Sequence, residues 1–418
     1  MAGTGPILTV HRSTQEIGGN CIEIRADDGH RVILDVGRPL DAPKDSTDLL
    51  PASLDIAAPV DGVLVSHAHQ DHFGLLDEIP AEWPVWCGDA TARLITLSSR
   101  MFKKRVPKVF HHWENNKPFQ LGPFRITPFL TDHSAIDAYM LLIEVGGRRI
   151  FYSGDFRTHG RKSILPQLVM ATPPADIDVL LMEGTNLGSD KLCVSENELE
   201  TRFVQLFQET PGRIFVGWSA QNVDRTVTLF RACKRTGRTL VVDLYTAEVM
   251  ETLKAAGFNR LPVPDWEGVK VVVTSAFRGV YGNTGRDEFV ERMAINGISA
   301  RKLAATPEKW VAMIRGSLLA DYTSNGVVPT SQDSWSWSMW RGYLQRGDGE
   351  QVDRWFKNSC CREEHIHSSG HAAPSELRAF AKALNPKLLV PIHGAAWDEN
   401  LEGFPAVRRL KDGQRMAL

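Results

Sequence analysis

Residues 66 to 72 read Ser66-His67-Ala68-His69-Gln70-Asp71-His72, so three imidazoles and a carboxylate fall within six residues. The preceding Gly62-Val63-Leu64-Val65 is short, apolar and β-branched, the pattern of a buried strand. The following Phe73-Gly74-Leu75-Leu76-Asp77-Glu78-Ile79 reads as a short helical turn. The cluster therefore belongs on a loop leaving a strand, where a rigid backbone holds ligands at fixed angles. Imidazole together with carboxylate suits zinc, and less often manganese or iron. With 13 histidines in 418 residues, a chance cluster of this density is a poor explanation.

The flanking sequence repeats one device. Residues 7–36 alternate strands and tight turns, and Asp35-Val36-Gly37 ends the third strand. Residues 89–105 have the apolar spacing of a helix, with Asp89 expected as its N-cap and Lys103-Lys104-Arg105 at its C-terminal end. A strand at 124–129 runs out at Thr131-Asp132-His133-Ser134. Residues 139–145 and 149–152 around Gly146-Gly147 predict a hairpin, which ends at Ser153-Gly154-Asp155. A strand at 178–182 ends at Glu183. Three strands thus run out into His, Asp or Glu, the usual way to build one site from distant sequence.

From about residue 196 the rhythm changes. Helical patterns at 195–209, 222–235 and 246–256 alternate with strands at 213–216, 239–242 and 269–273, which predicts a smaller parallel sheet covered by helices. Trp335 and Trp337 share one face of a strand; core packing is the expected role, with base stacking as the alternative. After this the chain becomes site-like again: His365-Ile366-His367-Ser368-Ser369-Gly370-His371, an amphipathic helix at 374–384, a strand at 387–390, then Pro391-Ile392-His393-Gly394.

Taken together, residues 66–72, His133 and Ser153-Gly154-Asp155-Phe156 resemble the metallo-β-lactamase superfamily. The blocks at 366–372 and 390–394 are similar to those of its β-CASP nucleases, in particular the RNase J type. Asp132-His133-Ser134-Ala135-Ile136-Asp137 and, more weakly, residues 219–225 resemble that type too. The resemblance implies an α/β fold: a four-layer αββα sandwich from residues 1–194 and 362–418, interrupted by a parallel-sheet β-CASP insert at 195–361. It implies that His67, His69 and His133 hold one zinc, that Asp71, His72 and His393 hold a second, and that Asp155 bridges them. Manganese is admissible at both positions. It places Asp71, His371 and Glu183 in the catalytic set, with His371 as general acid oriented by Glu183. His367, Ser368, Arg157 and Arg225 are candidate phosphate contacts. His111, His112 and His159 are expected on the surface. Within the family, a histidine at the His393 position goes with RNA processing, and DNA-processing members carry a small apolar residue there. The expectation is therefore an RNase, exonuclease or endonuclease, with a DNA nuclease and a small-molecule metallo-hydrolase as alternatives. The chain departs from the RNase J type at Arg315-Gly316-Ser317, where a Gly-Glu-Pro stretch is absent, and at Glu183, where that type carries Asp.

Composition adds bounds. The net charge of −2 gives no global positive field, so affinity for a polyanion must be local. Six cysteines without C-x-x-C spacing are expected as reduced thiols in the cytoplasm. No signal peptide is expected from the first six residues, and no apolar run approaches the ~18 residues of a membrane span. RNA is the expected partner; homo-oligomerisation is left open.

Overall fold

In Arg31–Val36, the side chains of Val32, Ile33, Leu34 and Val36 are all fully buried, so this strand needs a partner on each edge. It pairs antiparallel with Cys21–Arg25 and parallel with Gly62–Leu64. A seven-stranded sheet grows outward in the order Gln414–Ala417, Ile7–Arg12, Cys21–Arg25, Arg31–Val36, Gly62–Leu64, Val85–Cys87, Phe110–His112. The computed structural model describes residues 5–43, 45–189, 193–357 and 359–418.

The second sheet is built around the hairpin of Tyr139–Val145 and Arg148–Tyr152, whose turn glycines Gly146 and Gly147 take φ of 54° and 72°. Its order is Leu388–Pro391, Val179–Met182, Arg148–Tyr152, Tyr139–Val145, Phe124–Leu130, Phe119–Leu121. The helix Pro374–Leu384 presents Leu377, Phe380, Ala381 and Leu384, one stripe at helical spacing, to Met140, Leu142, Phe151, Leu180 and Met182. Burial of each large apolar side chain there stabilises by about 1.5–3 kcal/mol. The two sheets meet through Asn20 Nδ2, which donates to the Tyr152 hydroxyl at 3.2 Å, and Tyr139 N, which donates to Ser66 O at 3.0 Å. The C-terminal segment adds a strand to each sheet: Leu388–Pro391 parallel to Val179–Met182, and Gln414–Ala417 antiparallel to Ile7–Val10.

The chain divides into two compact units, Met1–Cys193 with Gly370–Leu418, and Val194–Ser369. The second unit has six parallel strands in the order Val269–Val272, Thr239–Asp243, Trp310–Met313, Ile214–Gly217, Ser334–Trp337, Arg362–Glu363. Its first helix, Glu196–Glu209, opens with a reciprocal capping box between Ser195 and Glu198. Trp335 and Trp337 are buried, and Trp335 stacks on Phe356 with centroids 4.4 Å apart.

Several boundaries differ from those read off the sequence. The unit break falls at Ser369/Gly370 and not at 361/362, because Arg362–Glu363 pairs with Ser334–Trp337 and Ile366 N donates to Ser336 Oγ. The helix after the histidine cluster is Gln70–Phe73, one turn earlier than residues 73–79. The helix at 89–105 stops at Met101, since Lys103 takes a left-handed φ of 54°. Its N-cap is Gly88; Asp89 lies inside the first turn and pairs with Arg93 at 2.8 Å.

Candidate metal centre

The tight spacing of residues 66–72 is made three-dimensional by a close approach at Gly37. A Cβ there would lie 1.7 Å from the Asp71 carbonyl oxygen, so only glycine lets the third strand lie against the loop that carries residues 66–72. Asn20 N donates to Asp71 O at 3.0 Å and Gly37 N to Asn20 O at 2.8 Å, which fixes that contact.

Two groups of donor atoms result. In the first, His69 Nδ1 lies 3.2 Å from His67 Nε2 and 3.1 Å from His133 Nε2. A tetrahedral zinc with Zn–N of about 2.05 Å would separate its nitrogens by roughly 3.3 Å, so the three lone pairs fit around one ion. In the second group, Asp71, His72, Asp155 and His393 converge. Asp155 Oδ2 lies 3.0 Å from His72 Nε2, 3.7 Å from His393 Nε2, 3.8 Å from His67 Nε2 and 4.0 Å from His133 Nε2. It therefore faces both groups. Its other oxygen, Oδ1, is buried without a hydrogen-bond partner among the described residues. An orphaned buried carboxylate oxygen among imidazole nitrogens suits a bound cation. The donor set is thus compatible with metal binding.

The rings are aimed by groups on their far nitrogens. Asp35 accepts from His72 Nδ1 at 2.7 Å, from Ser66 N at 2.7 Å, from Ser66 Oγ at 2.8 Å and from the Tyr152 hydroxyl. His133 Nδ1 donates to Gly370 O at 2.6 Å, and Thr185 Oγ1 meets His393 Nδ1 at 2.8 Å. Asp35 and His393 both adopt left-handed backbone, with φ of 55° and 46°, so strain is held at two site positions. Of these supporting groups, the sequence reading placed Asp35 only as a strand terminus and gave no role to Tyr152 or Thr185. The signal for Asp35 was an acid inside the apolar run Val-Ile-Leu-Asp-Val, which a buried strand tolerates only with donors around it.

Charges follow from the crowding of these side chains. Burial, reinforced by neighbouring histidines, holds His67 and His133 well below the usual imidazole range; burial brings His69 down to about 4. Burial also opposes charge on His72, yet Asp155, Asp35 and Asp71 carry its pKa well above the ordinary value. Asp155 is held far down despite burial, by His393, His72 and His371.

His371 Nδ1 lies 3.0 Å from Glu183 Oε2 and 3.8 Å from Asp155 Oδ2. Burial lowers its pKa, but Glu183 and then Asp155 outweigh that and lift it to about 9. Glu183 is fully buried and also accepts from Phe156 N and Thr185 N, each at 3.2 Å. The same atoms, with His393, form a third group of apposed donors.

The remaining candidates stand elsewhere. His367 Nδ1 and Ser368 Oγ are buried without hydrogen-bond partners among the described residues. Arg157 and Arg225, expected as candidate phosphate contacts, are fully buried. Arg157 pairs with Asp132 at 3.4 Å, and Arg225 with Glu196 at 3.0 Å and Ser338 O at 3.1 Å. These pairs satisfy guanidiniums that burial would otherwise leave unsolvated, and they remove both from the candidate contacts. His159, expected at the surface, is buried beside Glu376 at 3.5 Å, whereas His111 and His112 are exposed.

Residues 30–242, just over half of the 418, match the family described as Beta-lactamase superfamily domain. Residues 361–396 match the one described as Zn-dependent metallo-hydrolase RNA specificity domain. Ribonuclease J of Sinorhizobium meliloti is 22% identical over 377 residues, covering 85% of this chain and 63% of that protein. Ribonuclease J of Helicobacter pylori strain B128 is 23% identical over 398 residues, covering 91% and 54%. The chain therefore spans between 54% and 63% of the length of these two relatives. A crystal structure of a protein of unknown function from Enterococcus faecalis V583 shares the fold, with a TM-score of 0.79 at 20% identity over 99% of this chain and 100% of that one. With the strand-end histidine and carboxylate groups in place and a family match over more than half of its residues, the protein belongs to the metallo-β-lactamase superfamily.

Proposed function

We propose that the protein is a metal-dependent ribonuclease that hydrolyses RNA phosphodiester bonds with two zinc ions. The observation that carries this reading is the position of Asp155 Oδ2, within 4.0 Å of donor nitrogens from both histidine groups. His67, His69 and His133 would hold one ion, Asp71, His72 and His393 the other, and Asp155 would bridge; manganese could replace zinc at either. When bound, the ions supply a nucleophilic water at neutral pH and offset the charge growing on the phosphoryl oxygens. Asp35, Thr185 and the Gly370 carbonyl hold the ligating rings in one tautomer. Glu183 keeps a proton on His371 Nδ1, so that Nε2 can deliver its own proton to the leaving 3′-oxygen. The unit Val194–Ser369 would be the β-CASP insert, with His367 and Ser368 as phosphate contacts. RNA is favoured over DNA by the similarity to Ribonuclease J and by the description attached to residues 361–396. The setting would be cytoplasmic: no disulfide joins the described cysteines.

The test is digestion of end-labelled RNA bearing a 5′-triphosphate, monophosphate or hydroxyl, beside matched DNA. Wild type should cut RNA and leave DNA intact, and the product ladder separates exonuclease from endonuclease. His69→Ala and Asp155→Ala should abolish cutting while remaining folded by circular dichroism. Undiminished cleavage by either variant overturns the ligand assignment, and preferential cutting of DNA overturns the substrate.

A further inference from the structure

Between Asp89 and Glu114 the sequence contains no acidic residue, yet within it Arg100, Lys103, Lys104, Arg105 and Lys108 fall inside nine positions. In a chain of net charge −2 this is a concentrated local positive field. The structure splits the five cations into two sets. Lys104 and Arg105 are spent inward. Lys104 Nζ donates to Gly74 O at 2.9 Å and to Asp77 Oδ1 at 3.2 Å, and Arg105 Nη2 reaches the carbonyls of Leu76, Asp77 and Ile79. Arg100, Lys103 and Lys108 face outward, exposed, with no ion pair among the described residues. Beside them Phe102 is 62% exposed. Val109, 59% exposed at the other end of the segment, brackets the outward cations with a second apolar side chain.

The segment is also tied to the metal centre within its own unit. Gly74, which Lys104 grips, directly follows the helix Gln70–Phe73 that carries Asp71 and His72, and Gly74 N bonds Gln70 O at 2.7 Å. Gln70 Nε2 donates to Ser98 Oγ at 3.2 Å, one helical turn before Phe102. The outward cations therefore stand on a strap fastened to the ligand helix at two points.

We infer that residues 100–108 form a docking surface for the backbone of single-stranded RNA beside the metal centre, with Arg100, Lys103 and Lys108 on phosphates and Phe102 against a base. The inference rests on the reading of that centre as RNA-cleaving. Spaced cations with an exposed aromatic ring are the arrangement that binds single strands without regard to sequence. Each phosphate contact adds to the salt dependence of binding, with a slope of about −0.7 per contact for a single strand.

The experiment measures binding of a fluorescein-labelled oligouridylate to the full chain in EDTA, as a function of salt, and separately the cleavage of long RNA and of bis(p-nitrophenyl) phosphate with zinc present. The triple variant Arg100→Ala/Lys103→Ala/Lys108→Ala should reduce the slope of log affinity on log salt by about 2, so that a rise from about 50 to about 200 mM salt costs it roughly twentyfold less affinity than wild type. Its KM for RNA should rise at unchanged kcat, and turnover of the small diester should not change. Phe102→Ala should weaken binding without altering the slope, and the triple variant Arg100→Lys/Lys103→Arg/Lys108→Arg should retain it. An unchanged slope in the alanine triple variant, while wild type still cuts RNA, overturns the docking surface and leaves the nuclease reading intact. RNA binding that depends on the three cations in a protein that cuts no RNA upholds the surface and overturns the nuclease reading. Loss of binding to anionic phospholipid vesicles, with RNA binding untouched, assigns the patch to a membrane surface and overturns the inference.

Discussion

At the scale of the residue, the site depends as much on the groups behind the rings as on the rings themselves. Asp35 accepts four hydrogen bonds, from Ser66 N, Ser66 Oγ, His72 and Tyr152. Asp35→Asn leaves one oxygen for those donors and turns an NH₂ toward the others. The expected outcome is about 10–100-fold weaker binding at the position of His72, measured by competition with a chromogenic zinc chelator, while the ion at His67, His69 and His133 is retained. His371 poses a different question, because its Nδ1 faces both Glu183 and Asp155. As a proton donor its loss should slow turnover by about 10²–10⁴-fold. Metal analysis of His371→Ala should find the zinc content of wild type; one ion fewer per chain would make His371 a ligand instead.

Elements carry these residues into place, and their terminal turns are where the sequence reading and the structure part. The helix Pro374–Leu384 and the hairpin strands were legible because their apolar spacing matches one period throughout. The stop at Met101 was not, because Lys103 adopts a backbone conformation that its side chain does not advertise. The cations there follow the last turn and clamp residues 74–79. Two substitutions test elements of unlike importance. Ser195→Ala removes one side of the capping box on Glu196–Glu209 and should cost about 1 kcal/mol in chemical denaturation. Gly37→Ala drives a methyl group into the Asp71 carbonyl and should cost upwards of about 3 kcal/mol, with loss of metal, because neither strand nor ligand loop can move aside.

For the whole molecule, two units imply that unfolding need not be a single transition. Metal bound only by the folded first unit stabilises it by mass action. Chelation should therefore lower the melting temperature of that unit in calorimetry and leave the transition of Val194–Ser369 in place. Acid should act on the first unit as well. Burial raises the Glu23 carboxyl, but His11 beside it at 3.7 Å, the hydrogen bond from Arg31 at 2.8 Å and the charges of Arg25 and Arg31 outweigh it, so that it sits at about 2 against an ordinary 4.5. A folded pKa below the unfolded one stabilises above pH ~4.5, and that contribution is lost as pH falls toward ~2. Glu23→Gln should flatten stability against pH in that window; an unchanged acid limb would show that Glu23 does not contribute to it.

By itself the sequence determined the chemistry on offer: histidines and carboxylates at strand ends, a parallel-sheet region between them, and a returning C-terminal block with His371 and His393. These were readable because ligand type, local spacing and periodicity are properties of short segments. Only the tertiary structure decided which atoms meet. It brought His393 to 3.3 Å from Asp71 across 322 positions of chain, by laying Leu388–Pro391 beside Val179–Met182. It buried Arg157 and Arg225 in ion pairs that a loop arginine and a helix arginine do not announce. Pairing between distant strands and desolvation of a charge are both set by what the rest of the chain brings alongside, and no local pattern records that.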